Sequence, residues 1–266
     1  MRLYLSDLDK TLLRSDLSLS EFTKEVWNNF AKPLSIATAR SYTGAMKLLD
    51  GLRLDAPMIL LDGVMIANPD GSIIRLNALD KTTTDEIIAI VQKEFEELPL
   101  IVGHEGDSEH FLYPNKLNPH QKELLQNYKN DKRVLGIKDL KGLEKNLKIV
   151  YLGDKEKMEA IKQRVKALFD VESKLAKDPY QDCYFLTFLH PLGDKAHALQ
   201  ELEEIMSISA KEVTVFGDSL NDIGMFRQSG KAIAVANALP EVKEAADIVL
   251  EWSNDEDAVA RYLASL

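Results

Sequence analysis

Apolar positions along this chain come in short runs separated by longer amphipathic stretches. Residues 2–6 read as a short buried strand, with acids following at once. Helical spacing over 20–30 gives way at Pro33 to a strand over 34–37, and a helix around 43–49 leads through Gly51 and Pro57 to a strand at 58–61. Strands separated by helices imply parallel pairing through right-handed crossovers. The runs 64–67 and 72–76 flank Asn68-Pro69-Asp70-Gly71, a turn between two short strands.

The middle of the chain has another rhythm. Thr84-Asp85 opens a helix carrying Ile87, Ile88 and Val91, followed by strands near 100–102 and 110–113 and a helix over 119–128. A strand at 148–152, a lysine-rich amphipathic helix at 155–169 and a strand at 184–189 complete it. From His190 the first pattern returns: helix 195–206, strand 213–216, helix 222–228, strand 232–236 and a last helix over 255–263. The expected fold is α/β, a doubly wound, mostly parallel, Rossmann-like sheet made from residues 1–79 and 189–266. An α+β domain, residues 80–188, is inserted into it.

Composition narrows the function. Of 266 residues, 45% are hydrophobic and 29% charged, as in an ordinary globular protein. The 33 Lys and Arg stand against 43 Asp and Glu, a net charge of −10, and no basic run offsets it, which argues against nucleic acid as a partner. Nothing approaches the roughly 18 consecutive apolar residues of a membrane span, and the first residues reach acids before a signal-like run develops. A single cysteine, Cys183, fits a reducing, cytoplasmic setting.

Four segments at or just beyond strand ends carry candidate chemistry, on the edge where open α/β sheets bind ligands. Asp7 and Asp9 stand two residues apart directly after a buried strand, with Thr11 beyond them. Taken alone, such a pair is more often a solvated loop. Thr38 and Arg40 offer a hydroxyl and a guanidinium suited to an anion, although a helix cap and a surface arginine explain them equally well. Lys195 starts a helix, an unfavourable place for a cation unless acids or an anion wait nearby. Asp218, Asn221 and Asp222 follow the apolar strand 213–216; a helix beginning near Ser219 would put Asp218 at its mouth and Asp222 one turn in. Four carboxylates against Lys195 and Arg40 leave a local charge of −2. Such a cluster calls for a cation, and an all-oxygen donor set suits Mg²⁺ shared with a phosphate. The histidines lack metal-site spacing.

Asp7-Leu8-Asp9-Lys10-Thr11, Ala37-Thr38-Ala39-Arg40, the helix-starting Lys195 and Gly217-Asp218-Ser219-Leu220-Asn221-Asp222 resemble, in order, the four motifs of the haloacid dehalogenase (HAD) superfamily. An insertion between the second and third motifs resembles the cap of the Cof-like IIB sugar-phosphate phosphatases, and 234–238 with 241–247 resemble that branch's C-terminal segment. Lys10 stands where the branch usually has glycine, Asp62-Gly63 where it often has Asn-Gly, and Ala39 where the second motif has glycine.

The resemblance implies a phosphatase acting on a small phosphorylated metabolite. Asp7 would be the nucleophile, forming an aspartyl phosphate, and Asp9 the acid that protonates the leaving oxygen. Thr38, Lys195 and Asn221 would hold phosphoryl oxygens, and Arg40 would steer the substrate. Mg²⁺ would be bound by Asp7, the backbone carbonyl of Asp9 and Asp218, with Asp222 as ligand or support. The cap would close over the site, where His104, Glu105, His110 and Tyr113 are candidate contacts, though an exposed rim is the stronger reading for each. Two rivals stay open: a phosphotransferase or mutase passing the same aspartyl phosphate to another hydroxyl and, ranked lower, a phosphate-responsive regulatory protein.

Overall fold

The structure, a computed structural model, describes residues 2–106, 108–178 and 181–266. The chain forms two compact units, one built from residues up to Leu76 and from Gly193 onward, the other from Asn77–Leu192.

In the first unit, the described residues form a five-stranded parallel sheet in the order Ile248–Val249, Lys231–Ala234, Val213–Gly217, Leu3–Ser6 and Leu34–Ile36. Helices cover both faces of a parallel sheet, so its strands read as nearly continuous apolar runs. All residues of Leu3–Ser6 and of Val213–Gly217 are buried. Ser6 pairs with Phe216 on one side and Ile36 on the other. The register therefore places the residues after all three strands at one edge, where the strand order reverses. Asp7 N–H donates to Phe216 O at 2.9 Å and Ala37 N–H to Ser6 O at 2.9 Å, extending both ladders into the motifs.

Met58–Leu60, Met65–Ala67 and Ile73–Leu76 form a small antiparallel sheet beside it. Helices begin where short polar side chains satisfy the first free amides: Ser20 Oγ accepts from Thr23 N–H ahead of Glu21–Asn29, and Asp194 from Ala196 and His197 N–H ahead of Lys195–Met206.

The second unit is a mostly antiparallel sheet in the order Glu172–Lys177, Tyr184–Leu189, Lys145–Gly153, Leu100–Glu105, Ser108–Pro114 and Val134–Ile137, the last pair being parallel. Ile149, Tyr151, Leu186 and Phe188 alternate onto one face and pack with Ile87 and Val91 of the Lys81–Phe95 helix and Met158, Ile161 and Val165 of the Lys155–Lys166 helix.

Several elements differ from the sequence reading. The junctions fall at 76/77 and 192/193 instead of 79/80 and 188/189: the Leu79–Asp80 strand pairs with Lys145–Asn146 inside the second unit, and Leu189 still belongs to the Tyr184–Leu189 strand, paired with Glu172. Glu172–Lys177 is an edge strand whose charged residues hide the two-residue period, and Val134–Ile137, three apolar residues and a glycine, has no alternation to show. Ile248–Val249 is too short to show one. The last helix is Ala258–Ala264, preceded by a tight turn at Asn254–Glu256. Among the described residues no helix is long and apolar enough to cross a membrane.

Candidate active site

Asp7 leaves the Leu3–Ser6 strand, between Val213–Gly217 and Leu34–Ile36, with its side chain buried, only 6% exposed. The chain then makes a wide turn over Leu8–Leu12, closed by Leu13 N–H donating to Leu8 O at 2.9 Å. Lys10 adopts a left-handed φ of 59° at the position where glycine is usual, so the turn that resembles the family's is made despite the side chain. Asn237 Nδ2 donates to Lys10 O at 2.8 Å and ties the turn to the C-terminal segment.

Val213–Gly217 delivers the other carboxylates. Asp222 closes a 3₁₀ turn, Leu220–Asp222, and the α-helix proper begins at Ile223, so Asp222 stands at the end of a tight turn and not one turn into a helix. Its Oδ2 accepts the N–H groups of Asp218 and Ser219, each at 3.1 Å. Gly217 makes that fold-back possible, since a Cβ there would meet the Asp222 carboxylate at 2.6 Å.

Lys195 explains its own unfavourable position. The helix N-terminus is neutralised by Asp194, and the Lys195 ammonium, fully buried, donates to Asp7 Oδ1 at 2.6 Å and to Asp222 Oδ1 at 2.7 Å. Burial works against that charge, yet Asp222 and Asp7 outweigh it and hold the lysine above its ordinary pKa. Asp7, Asp218 and Asp222 can place one oxygen each within 4.8 Å of one another. Burial pushes the Asp7 carboxyl up, Lys195 opposing and Asp222 and Asp218 reinforcing, to about 8. Asp218 rises to about 6 through burial and Asp222, against a hydrogen bond from Thr11 Oγ1 at 3.2 Å and the charge of Lys195. Three buried carboxylates therefore cluster around one buried cation, which bonds two of them. This excess negative charge, on oxygen donors alone, fits a hard metal ion.

Arg40 and Asp9 form a two-pronged pair: Nε donates to Oδ2 at 2.8 Å and an Nη to Oδ1 at 2.5 Å, with side chains 29% and 40% exposed. The Asp9 carboxylate thus stands outside the cluster of Asp7, Asp218 and Asp222. Thr38 is buried; its N–H donates to Ile59 O, and its Oγ1 accepts from Arg40 N–H at 3.2 Å. Asn221 Nδ2 donates to Asp62 Oδ1 at 3.1 Å, while its Oδ1 accepts from Ser219 Oγ at 2.6 Å.

The fold thus brings Asp7, Asp218, Asp222 and Lys195 into direct contact or near it, pairs Arg40 with Asp9, and links Asn221 to Asp62. The carboxylate of Asp62 enters the sequence reading only as a departure from a pattern, with no contact assigned. In the second unit, Glu105 accepts Glu144 N–H at 3.1 Å, Tyr113 packs in an apolar cluster, and the Nδ1 of half-buried His110 has no hydrogen-bond partner.

A buried carboxylate after Leu3–Ser6, a lysine bridging it to a second acid, and a further acid just after the neighbouring Val213–Gly217 strand form an arrangement chemically suited to phosphoryl transfer at the edge of the α/β sheet. Comparison with known proteins agrees. The family model for haloacid dehalogenase-like hydrolases matches residues 4–263. A putative phosphatase from Buchnera aphidicola is 24% identical over 98% of this chain and 95% of its own length. The 5-amino-6-(5-phospho-D-ribitylamino)uracil phosphatase of Bacillus subtilis is 26% identical over 98% and 96%. A haloacid dehalogenase-like hydrolase from Bacteroides thetaiotaomicron superposes with a TM-score of 0.79 at 24% identity, covering 99% of this chain and 98% of its own. A structure described as a HAD subclass IIB sugar phosphatase superposes at 0.77 with 17% identity, covering 100% and 98%. The chain belongs to the haloacid dehalogenase-like hydrolase family.

Proposed function

We propose that this phosphatase hydrolyses a small phosphomonoester, a sugar phosphate or a related polyhydroxylated metabolite, through an aspartyl phosphate on Asp7. The observation that carries the reading is the Asp7 carboxylate: Lys195 holds Oδ1, which leaves Oδ2 as the second oxygen to attack phosphorus. Attack forms the Asp7 O–P bond and breaks the ester P–O bond, and the departing oxygen takes a proton from Asp9. A water then attacks the same phosphorus, Asp9 accepts its proton, and the bond to Asp7 breaks to release inorganic phosphate.

Arg40 orients Asp9 through both carboxylate oxygens, so delivering the proton requires Asp9 to open one arm of that fork. Thr38, Lys195 and Asn221 are assigned to the phosphoryl oxygens. Asp7, Asp218, Asp222 and the carbonyl of Asp9 are assigned to Mg²⁺, which when bound supplies charge neutralisation and polarises the phosphoryl group. The substrate class draws support from the Bacillus subtilis relative, named for a phosphorylated ribitylamino compound. The inserted unit is assigned the role of cap, selecting the leaving group.

The test is phosphate release over a panel of phosphorylated metabolites with Mg²⁺. Turnover of sugar phosphates, lost by about 10³-fold or more in Asp7→Asn, is the expected result. Unchanged turnover in Asp7→Asn rules out the nucleophile assignment.

A further inference from the structure

The turn at Leu61–Gly63 touches three of the four motif segments. Leu61 N–H donates to Arg40 O at 2.9 Å, and Asp62 N–H donates to Thr38 O at 3.0 Å. Gly63, at φ 110°, lies so close to the Asp194–Lys195 backbone that a Cβ would stand 2.2 Å from Asp194 O. The Asp62 side chain, 6% exposed, reaches the fourth segment through Asn221. Leu61 and Asp62 hold left-handed φ values of 52° and 66°, a conformation that an aspartate tolerates better than most residues.

A carboxylate accepts hydrogen bonds and cannot donate one, whereas an asparagine amide does both. Asp62 Oδ1 therefore admits only the NH₂ side of Asn221. Ser219 Oγ, donating to Asn221 Oδ1 at 2.6 Å, accommodates the same orientation from the other side. A flipped amide would turn Asn221 Oδ1 toward the Asp62 carboxylate and leave that buried group without this hydrogen bond, which is costly. Nδ2 spends one hydrogen on Asp62 and keeps the second.

We propose that Asp62 is a positioning residue for phosphate recognition: it locks the Asn221 amide so that the second N–H of Nδ2 is presented to a phosphoryl oxygen. This rests on the assignment of Asn221 to the phosphoryl group. Asp62 acts through its acceptor oxygen. Its negative charge by itself would weaken anion binding.

The acceptor and the charge separate by substitution. Asp62→Gly keeps the left-handed backbone accessible and deletes the acceptor, while Asp62→Asn keeps an acceptor oxygen and deletes the charge. The measurement is calorimetric binding of inorganic phosphate to the full chain with Mg²⁺, with thermal unfolding to confirm folding. Asp62→Gly is expected to weaken phosphate binding about five- to tenfold, and Asp62→Asn to stay within about threefold of the parent. In an Asn221→Ala background Asp62→Gly is expected to change binding less than about twofold, because its route to the ligand is gone. Equal effects of Asp62→Gly and Asp62→Asn, or an Asp62→Gly effect that persists without Asn221, overturn the proposal. Parent protein that binds phosphate and shows the coupling, yet releases none from aryl or sugar phosphates, overturns the hydrolase reading and leaves the positioning role standing.

Discussion

The ammonium of Lys195 lies 2.6 Å from the carboxylate of Asp7, a residue 188 positions earlier in the chain, and both side chains are buried. The same ammonium contacts Asp222, so one lysine carries the compensating charge for two buried acids. The site is consequently as much an electrostatic part of the fold as a catalytic device.

Removing that lysine exposes the imbalance. Lys195→Met preserves the apolar stem but leaves Asp7 and Asp222 facing each other without their cation. Losing one partner of a buried ion pair costs on the order of 3–5 kcal/mol. The metal-free variant is expected to lose about 3 kcal/mol or more of unfolding free energy, read by urea denaturation, together with turnover. Asp7→Asn, which removes one of the repelling carboxylates, is expected to retain parental stability while losing activity. Equal destabilisation by both substitutions contradicts the charge balance described for the site.

The acids also set a pH dependence. In the folded, metal-free protein burial and the neighbouring acids push the Asp7 carboxyl up to about 8 and that of Asp218 up to about 6, from the ordinary 3.8. The folded protein therefore holds protons that the unfolded chain has released. Their stabilising contribution is complete below about 3.8 and is lost as pH rises through the folded-state values. Metal-free protein is expected to lose thermal stability between about pH 5 and about pH 8, with a shallower slope in Asp7→Asn. Mg²⁺, competing with those protons, is expected to raise the melting temperature more at the upper end of that range than at the lower. A flat profile, or an equal Mg²⁺ effect at both ends, contradicts the assignment of these acids to the metal.

Gly63 offers a backbone test. A methyl group there would collide with the Asp194 carbonyl at 2.2 Å, and φ of 110° disfavours any side chain. Gly63→Ala is expected to cost about 2–4 kcal/mol and to lower turnover by displacing the start of the Lys195 helix. Denaturation and phosphate release measured on the same preparation check both effects. Parental stability in Gly63→Ala rules out the close approach.

Much of this was legible in the chain. Buried apolar runs ending in Asp7-Leu8-Asp9 and Gly217-Asp218 announce parallel strands with acids at their carboxyl ends, because a parallel strand buried on both faces has little room for polar residues until it emerges. Other elements carried no such mark. Glu172–Lys177 has three charged residues in six, since an edge strand is free to expose them. Asp62 stands out in the chain only as a departure from the usual Asn-Gly, and nothing local indicates that its carboxylate meets Asn221.

The alternation of elements, the four motifs at strand ends and the excess of acid over base among them are all readable along the chain. Periodicity and local composition are properties of neighbouring residues, so they survive in one dimension. Only the tertiary structure decided which acid meets which cation: Lys195 with Asp7 and Asp222, and Arg40 with Asp9. Those pairings depend on strand register and on where turns such as Leu61–Gly63 bring distant backbone together. Contact energies fall off over a few ångströms, a scale that sequence separation does not measure.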